Sequence, residues 1–345
     1  MISVDGYVWV EGGFIRGHAY SDGSSLEISE GPLGGSPDIR GIIVPSFVDC
    51  HTHCADAGAR PSQGMSLEEL VAPPDGLKHR YLRETPRSKL VNDMCQYGKD
   101  AFRNGVSAFI DFREGGVDGC RMLRESGAQA AVYGRPSSAE TDPNEIRDIL
   151  TVADGIAISS VSDIPRRTAE MIADVCRKER RPFALHASER VREDIDFILS
   201  LEPAFVVHMT EATAADMRAC AENDVPIVAC PRSNAFFGKT PNLALMMDSG
   251  AEISLGTDNA MLCDPDMRKE ALLASGILGT GGRNASDVWN CLFGCSKKIL
   301  NRSGTYVTKV AEGRTMAVLP FEGSDPLSAL RSDASVTLFR REESP

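Results

Sequence analysis

The chain has 345 residues, 42% of them hydrophobic, a formal net charge of −12 and a pI near 5.1. That size buries one large core and leaves room for a small accessory domain, while the acidic balance argues against nucleic acid or an anionic membrane as a bulk partner. No apolar run reaches the roughly 18 residues of a membrane span, and the opening MISVDGYVWVEGG lacks a basic segment followed by an apolar one, so a soluble, cytoplasmic protein is expected. Ten cysteines without a CxxC pair read as reduced thiols, which fits that compartment and disfavours structural zinc.

In chain order, residues 1–44 hold short strand-like runs (YVWVEG, FIRGHAY, SLEISE) separated by Gly and Ser turns. Residues 305–345 resume that texture (TYVTKVA, TMAVLP, SVTLFRR), so the two ends are expected to pair into one small β-domain, with His18 in it and without a catalytic part. Between them, over 45–304, eight apolar runs read as strands: 45–51, 107–112, 129–134, 155–159, 182–187, 204–209, 225–230 and 251–257. Stretches of helical period alternate with them at 87–104, 117–126, 143–153, 165–179, 190–200, 211–222 and 240–249, and a last helix is expected near 286–300. Repeated β-then-α units over this span predict an α/β protein of the (β/α)8 TIM-barrel type, since no GxGxxG turn supports an open doubly wound sheet.

The chain has six histidines, and four lie in runs that end predicted strands: FVDCHTH (His51, His53), FALHASE (His186) and FVVHMTE (His208). Asp258 ends a further run, ISLGTD. Side chains at i and i+2 of a strand share a face, so His51 and His53 project together and can take one metal ion. An HxH pair alone is weak. Ligand-type residues closing predicted strands five, six and eight strengthen it, because catalytic groups of a TIM barrel come from the ends of several strands. Imidazoles with one carboxylate suit one divalent metal, zinc first and iron or manganese as alternatives, at a site left open for water.

These residues also resemble a known family. GIIVPSFVDCHTH, the HxxE of His186 to Glu189, CPRSN at 230–234 and GTDNA at 256–260, in that order, resemble the amidohydrolase superfamily and its cytosine deaminase and chlorohydrolase-like branch. The resemblance spans roughly residues 40–265. It implies a barrel flanked by a β-sandwich, a mononuclear metal held by His51, His53, His186 and Asp258, a His208 that orients the attacking water, and a Glu189 that shuttles protons. Binuclear members carry a lysine on strand four, and DGIAISSVSD contains none. The segment DNAMLCDPD after strand eight and the loop at 54–86 depart from the family pattern, which leaves the substrate undefined.

Residues for substrate recognition are sought in the loops that follow the strands. Arg113, Arg135 and Arg232 directly follow or end strands, the long first loop carries Lys78, His79 and Arg80, and Asn259 adjoins Asp258. This concentration of positive charge on an acidic protein suggests a small-molecule substrate with an anionic group; the alternative is that these cations pair with Glu114, Asp163 or other loop acids. The loop at 54–86, with Gly58, Gly64 and Gly76, is expected to act as a lid. Ser233 and Asn234 are read as supports for strand seven. The leading reading is therefore an aminohydrolase acting on a heterocyclic amidine. A cyclic amidase of the imidazolonepropionase kind is the runner-up, and a non-catalytic binding or assembly protein is the reading from a different class. Homo-oligomerisation is left open, as the sequence carries no interface signature.

Overall fold

The computed structural model describes residues 1–10, 12–23, 25–62, 64–71, 75–303 and 315–341, and every structural statement below concerns these. Its main sheet runs in the order Ile253–Leu255, Ile227–Ala229, Phe205–His208, Phe183–Ala187, Gly155–Ile158, Ala130–Gly134, Val106–Arg113, Phe47–His53 and Asp258–Asn259. Every neighbouring pair is parallel. The first and last pieces are two halves of one eighth strand, one half paired to the seventh strand and the other to the first, so the sheet closes into the expected (β/α)8 barrel. Gly256 lies between the halves because a Cβ there would fall 2.7 Å from the His51 backbone nitrogen.

Alternation along the strands sorts side chains into two layers. Ala108, Ile110, Phe112, Ala131, Tyr133, Ala184, Phe205, Val207 and Val228 fill the barrel axis, while Phe109, Val132, Leu185, Val206 and Ile227 pack under the surrounding helices. The first strand breaks this rule. Its register against the second strand shifts between Phe47 and Val48 and again between Asp49 and Thr52, so the end carrying the two histidines is re-aimed relative to the start.

A second sheet closes on itself from Ile2–Val10, Gly13–Ser21, Ser25–Glu30, Thr337–Arg341, Thr315–Pro320 and Ile39–Pro45, around Val4, Val8, Ala19, Leu26, Ile43, Met316, Val318 and Phe339. The run GIIVPSFVDCHTH is thus two strands, not one: Ile39–Pro45 belongs to this sheet and Phe47–His53 to the barrel, with Ser46 as the joint. The expected strand TYVTKVA falls outside the described residues.

Helices appear at the expected places, with several departures, among them an unforeseen short helix, Pro231–Phe236. The helix expected over 190–200 is shortened to Ile195–Ser200, and that near 286–300 is split into Val288–Phe293 and Ser296–Arg302 at Gly294. Met267–Thr280 was not foreseen; Gly276 and Gly279 lie in it, and its buried set includes Arg268, Glu270 and Ser275, which blurs any apolar stripe. The loop after the first strand holds two short helices, Leu67–Val71 and Leu77–Glu84. No helix among the described residues is long and apolar enough to cross a membrane.

Candidate metal centre and active site

Strand ends bring His51, His53, His186 and Asp258 to one point, all of them buried. His186 Nε2 is 3.3 Å from both His51 Nε2 and His53 Nε2, and Asp258 Oδ1 is 3.3 Å from His51 Nε2 and 3.6 Å from His53 Nε2. The rear nitrogens of two rings face acceptors: His53 Nδ1 is 2.9 Å from the Phe112 carbonyl and 2.9 Å from Glu114 Oε1, and His186 Nδ1 is 3.3 Å from the Ile158 carbonyl. With their protons on Nδ1, these two rings point Nε2 lone pairs at each other. A shared cation removes that repulsion. Four ligands at the zinc–nitrogen distance of about 2.0–2.1 Å form a tetrahedron with edges of about 3.3–3.4 Å, close to the spacing found, so the residues present fit a divalent metal. Burial drives the imidazoles toward the neutral, ligating form, His53 to about 3 and His51 and His186 also downward. Burial opposes ionisation of Asp258, but the His51 contact and the surrounding imidazoles hold its carboxyl well below the usual range.

Backbone conformation finishes the aiming. Alternation after Val207, which faces the axis, would send His208 toward the helices, yet φ of +76° at His208 turns it back against His186, with ring centroids 5.4 Å apart. Asp258 also has positive φ, +64°, and its second oxygen accepts a 2.6 Å hydrogen bond from Ser233. Asp49 ties the seam between the first and eighth strands: its oxygens accept from the Thr257 amide at 2.9 Å and hydroxyl at 2.5 Å, and from Tyr97 at 3.3 Å. The residue beside Asp258 is therefore anchored to the residue two before His51.

Glu189 Oε2 lies 3.7 Å from His208 Nε2, and these two with Asp258 form a second convergent group. Burial raises the Glu189 carboxyl, opposed in part by His208, which suits a group that must both take and give a proton. A cavity of about 810 Å³ opens over the cluster, bordered by His53, His186, Glu189, His208, Asp258 and Asn259. Such a volume accommodates a small molecule.

Residues 42–293 match the model of the amidohydrolase family. The chain belongs to that family. A Methanothermobacter thermautotrophicus protein provisionally named an aminohydrolase is 32% identical over 276 residues, covering 72% of each chain. One from Archaeoglobus fulgidus with the same provisional name is 35% identical over 243 residues, covering 69% of this chain and 70% of its own. The fold is shared with a Xanthomonas campestris adenosine deaminase crystallised with bound zinc, at a TM-score of 0.73 and 14% identity, with 98% of this chain and 91% of that one covered. This amidohydrolase is thus a hydrolase acting on C–N bonds other than peptide bonds, with a site suited to a divalent metal.

The residues expected from the sequence to bind substrate separate in the amidohydrolase cavity. Lys78, His79, Arg113, Arg135 and Asn259 border it, whereas Arg80 and Arg232 do not. Arg80 is exposed and donates to the Asp75 carbonyl; Arg232 pairs with Asp264 at 2.5 Å, and Glu270 Oε1 lies 3.5 Å from it. Their expected place beside the substrate is therefore not found. Arg113 is 2% exposed, with its guanidinium 2.6 Å from Glu114 Oε2 and 3.6 Å from Asp111 Oδ1. It shares the outward face of its strand with Phe109 and Asp111, which is why it is consumed by internal pairing. His79 Nε2 is 3.1 Å from the Val71 carbonyl, which joins the two short loop helices. Lys78, 2% exposed, reaches Glu114 Oε1 at 2.6 Å and Asn259 Oδ1 at 3.3 Å. Arg135 Nη1 is 3.1 Å from the same Glu114 oxygen. Glu114, expected from the sequence only as an acid that pairs with the arginines, also lines the cavity and contacts His53.

Proposed function

We propose that this amidohydrolase is a mononuclear, zinc-dependent aminohydrolase that releases ammonia from a small heterocyclic amidine bearing an anionic group. The observation that carries the reading is the convergence of four ligand atoms, all within 4.8 Å of one another and four of their separations 3.3–3.6 Å, with Glu189 and His208 beside them at the floor of a cavity. His51, His53, His186 and Asp258 hold the metal, which when bound supplies Lewis acidity that makes water a nucleophile near neutral pH. His208, turned inward by its left-handed backbone, orients that water. Glu189, whose carboxyl burial raises, takes one proton from the attacking water and gives it to the ring nitrogen, then takes the second from the resulting hydroxyl and gives it to the departing amine. Asp258, fixed by Ser233, presents one oxygen to the metal and keeps the other in a set direction. Arg135 receives the anionic group: it lines the cavity, and its partner Glu114 is already shared with Lys78, Arg113 and His53, so its charge is incompletely offset.

The test pairs metal analysis of the purified protein with ammonia release from aminopurines, aminopyrimidines, pterins and guanidines, each with and without a carboxylate or phosphate. Ammonia release from a heterocycle, in proportion to bound zinc and favoured by the anionic form, is the expected result. Ring opening without ammonia would replace this reading by the cyclic amidase, and a protein that takes up no metal would point to the binding scaffold.

A further inference from the structure

The three imidazoles proposed as ligands differ at the nitrogen that faces away from the metal. His51 Nδ1 has no hydrogen-bond partner among the described residues, and His186 Nδ1 faces the neutral Ile158 carbonyl at 3.3 Å. His53 Nδ1 faces the Phe112 carbonyl and the Glu114 carboxylate, each at 2.9 Å. Of these three, His53 alone has an anion behind it. A carboxylate in that position fixes the tautomer, locks the ring plane and strengthens the opposite nitrogen as a ligand.

Glu114 is itself held at both oxygens. Oε2 is 2.6 Å from Arg113 Nη2; Oε1 is 2.6 Å from Lys78 Nζ and 3.1 Å from Arg135 Nη1 in addition to the His53 contact. These cations come from the loop helix Leu77–Glu84, the end of the second strand and the residue after the third, so the carboxylate cannot swing away without breaking contacts to three elements. If its only task were to neutralise Arg113, the Oε2 contact would serve, and His53 would rest on the Phe112 carbonyl alone.

We propose that Glu114 is a positioning residue for the metal: clamped by Lys78, Arg113 and Arg135, it holds His53 by Nδ1 and so sets how tightly the cation is retained. The inference rests on the four-ligand reading above. It is tested by titrating Zn²⁺ into the metal-free full chain against a chromophoric chelator, for the wild type, Glu114→Gln, Arg113→Met and the double variant Glu114→Gln/Arg113→Met. The double variant removes one positive charge with the negative one, so it keeps the buried cluster balanced and decides the question should Glu114→Gln not fold. Both variants lacking Glu114 are expected to bind zinc about 10–100-fold more weakly, while Arg113→Met alone stays close to wild type. The His53 Nδ1 proton resonance of the zinc-loaded protein should move upfield with loss of Glu114 and stay in place in Arg113→Met, a shift that charge neutralisation alone would not produce. A folded double variant with wild-type affinity and an unmoved resonance overturns the role of Glu114 and leaves the four-ligand reading standing. A wild type that takes up no zinc removes that reading first, and the role of Glu114 with it.

Discussion

Two glutamates at the upper end of the barrel are buried to a similar degree and differ in everything else. Glu114, 8% exposed, has Lys78, Arg113, Arg135 and His53 around its carboxylate. Glu270, fully buried on the helix Met267–Thr280, meets the Arg232 amide at 3.1 Å and its guanidinium at 3.5 Å, and its Oε1 lacks a hydrogen bond. Burial pushes both carboxyls up. At Glu114 the charges of Lys78 and Arg113, together with the His53 contact, outweigh it and the group is held well below its ordinary value; at Glu270 burial wins and the group rises to about 8. The number of cations within reach decides the charge of a buried acid, and only the acid beside the cavity has been given enough of them.

The largest effects are expected at the cluster that the Glu114 side serves. His51→Gln should leave the purified protein without stoichiometric metal after dialysis and without ammonia release; full metal content in that variant would break the four-ligand assignment. Glu189→Gln should keep its metal and lose about 10²–10⁴-fold in kcat, read by steady-state ammonia release. Removing the two buried acids then tests the contrast directly. Glu114→Gln leaves several buried cations short of an anion and should cost about 3–5 kcal/mol in urea unfolding, whereas Glu270→Gln replaces a group already neutral at pH 6 and should cost about 1 kcal/mol or less.

The pH dependence has opposite signs at the two sites. Glu270 has a folded value of about 8, above its ordinary 4.5, so its contribution is full below pH 4.5, declines as pH rises from there and is gone above about 8. Glu114, with a lowered value, contributes above its ordinary 4.5 and loses that contribution as pH falls through its folded value. Glu270→Gln should therefore flatten the decline of stability between pH 4.5 and 8, and parallel curves for variant and wild type would remove the contrast. An effect of the same small size is expected at a buried helix cap. Asp216 completes a capping box with Thr213 and pairs with Arg192, which hold it at about 2, and Thr213→Ala should cost about 1 kcal/mol in thermal unfolding.

How far the sequence could be read follows from the range over which each residue acts. The eight strands and the proposed ligands were legible because apolar runs and the i, i+2 pair are local patterns. Asp258 and His208 were found by position, but not the left-handed backbone that aims them, since alternation alone sends His208 to the wrong face. Arg113 borders the cavity, and its pairing with Glu114, the alternative left open from the sequence, has a local signal: it keeps phase with Phe109 and Asp111 on the helix-facing side, while Arg135 keeps phase with Tyr133 on the axis side. Glu114 could not be recognised as a hub, because its partners come from separate strands and from a helix in a long loop. Arg232 was lost to Asp264, an acid more than thirty positions away.

The split eighth strand would give a bound metal a second duty. Asp258 lies on the element that completes the ring and His51 and His53 on the one that begins it, so an ion bound to all three would act as a clasp across the place where the barrel meets itself. Any species that binds only the folded form stabilises it by mass action. Stripping the cation should therefore loosen this join before the opposite wall, with hydrogen exchange rising first along Phe47–His53 and Asp258–Asn259.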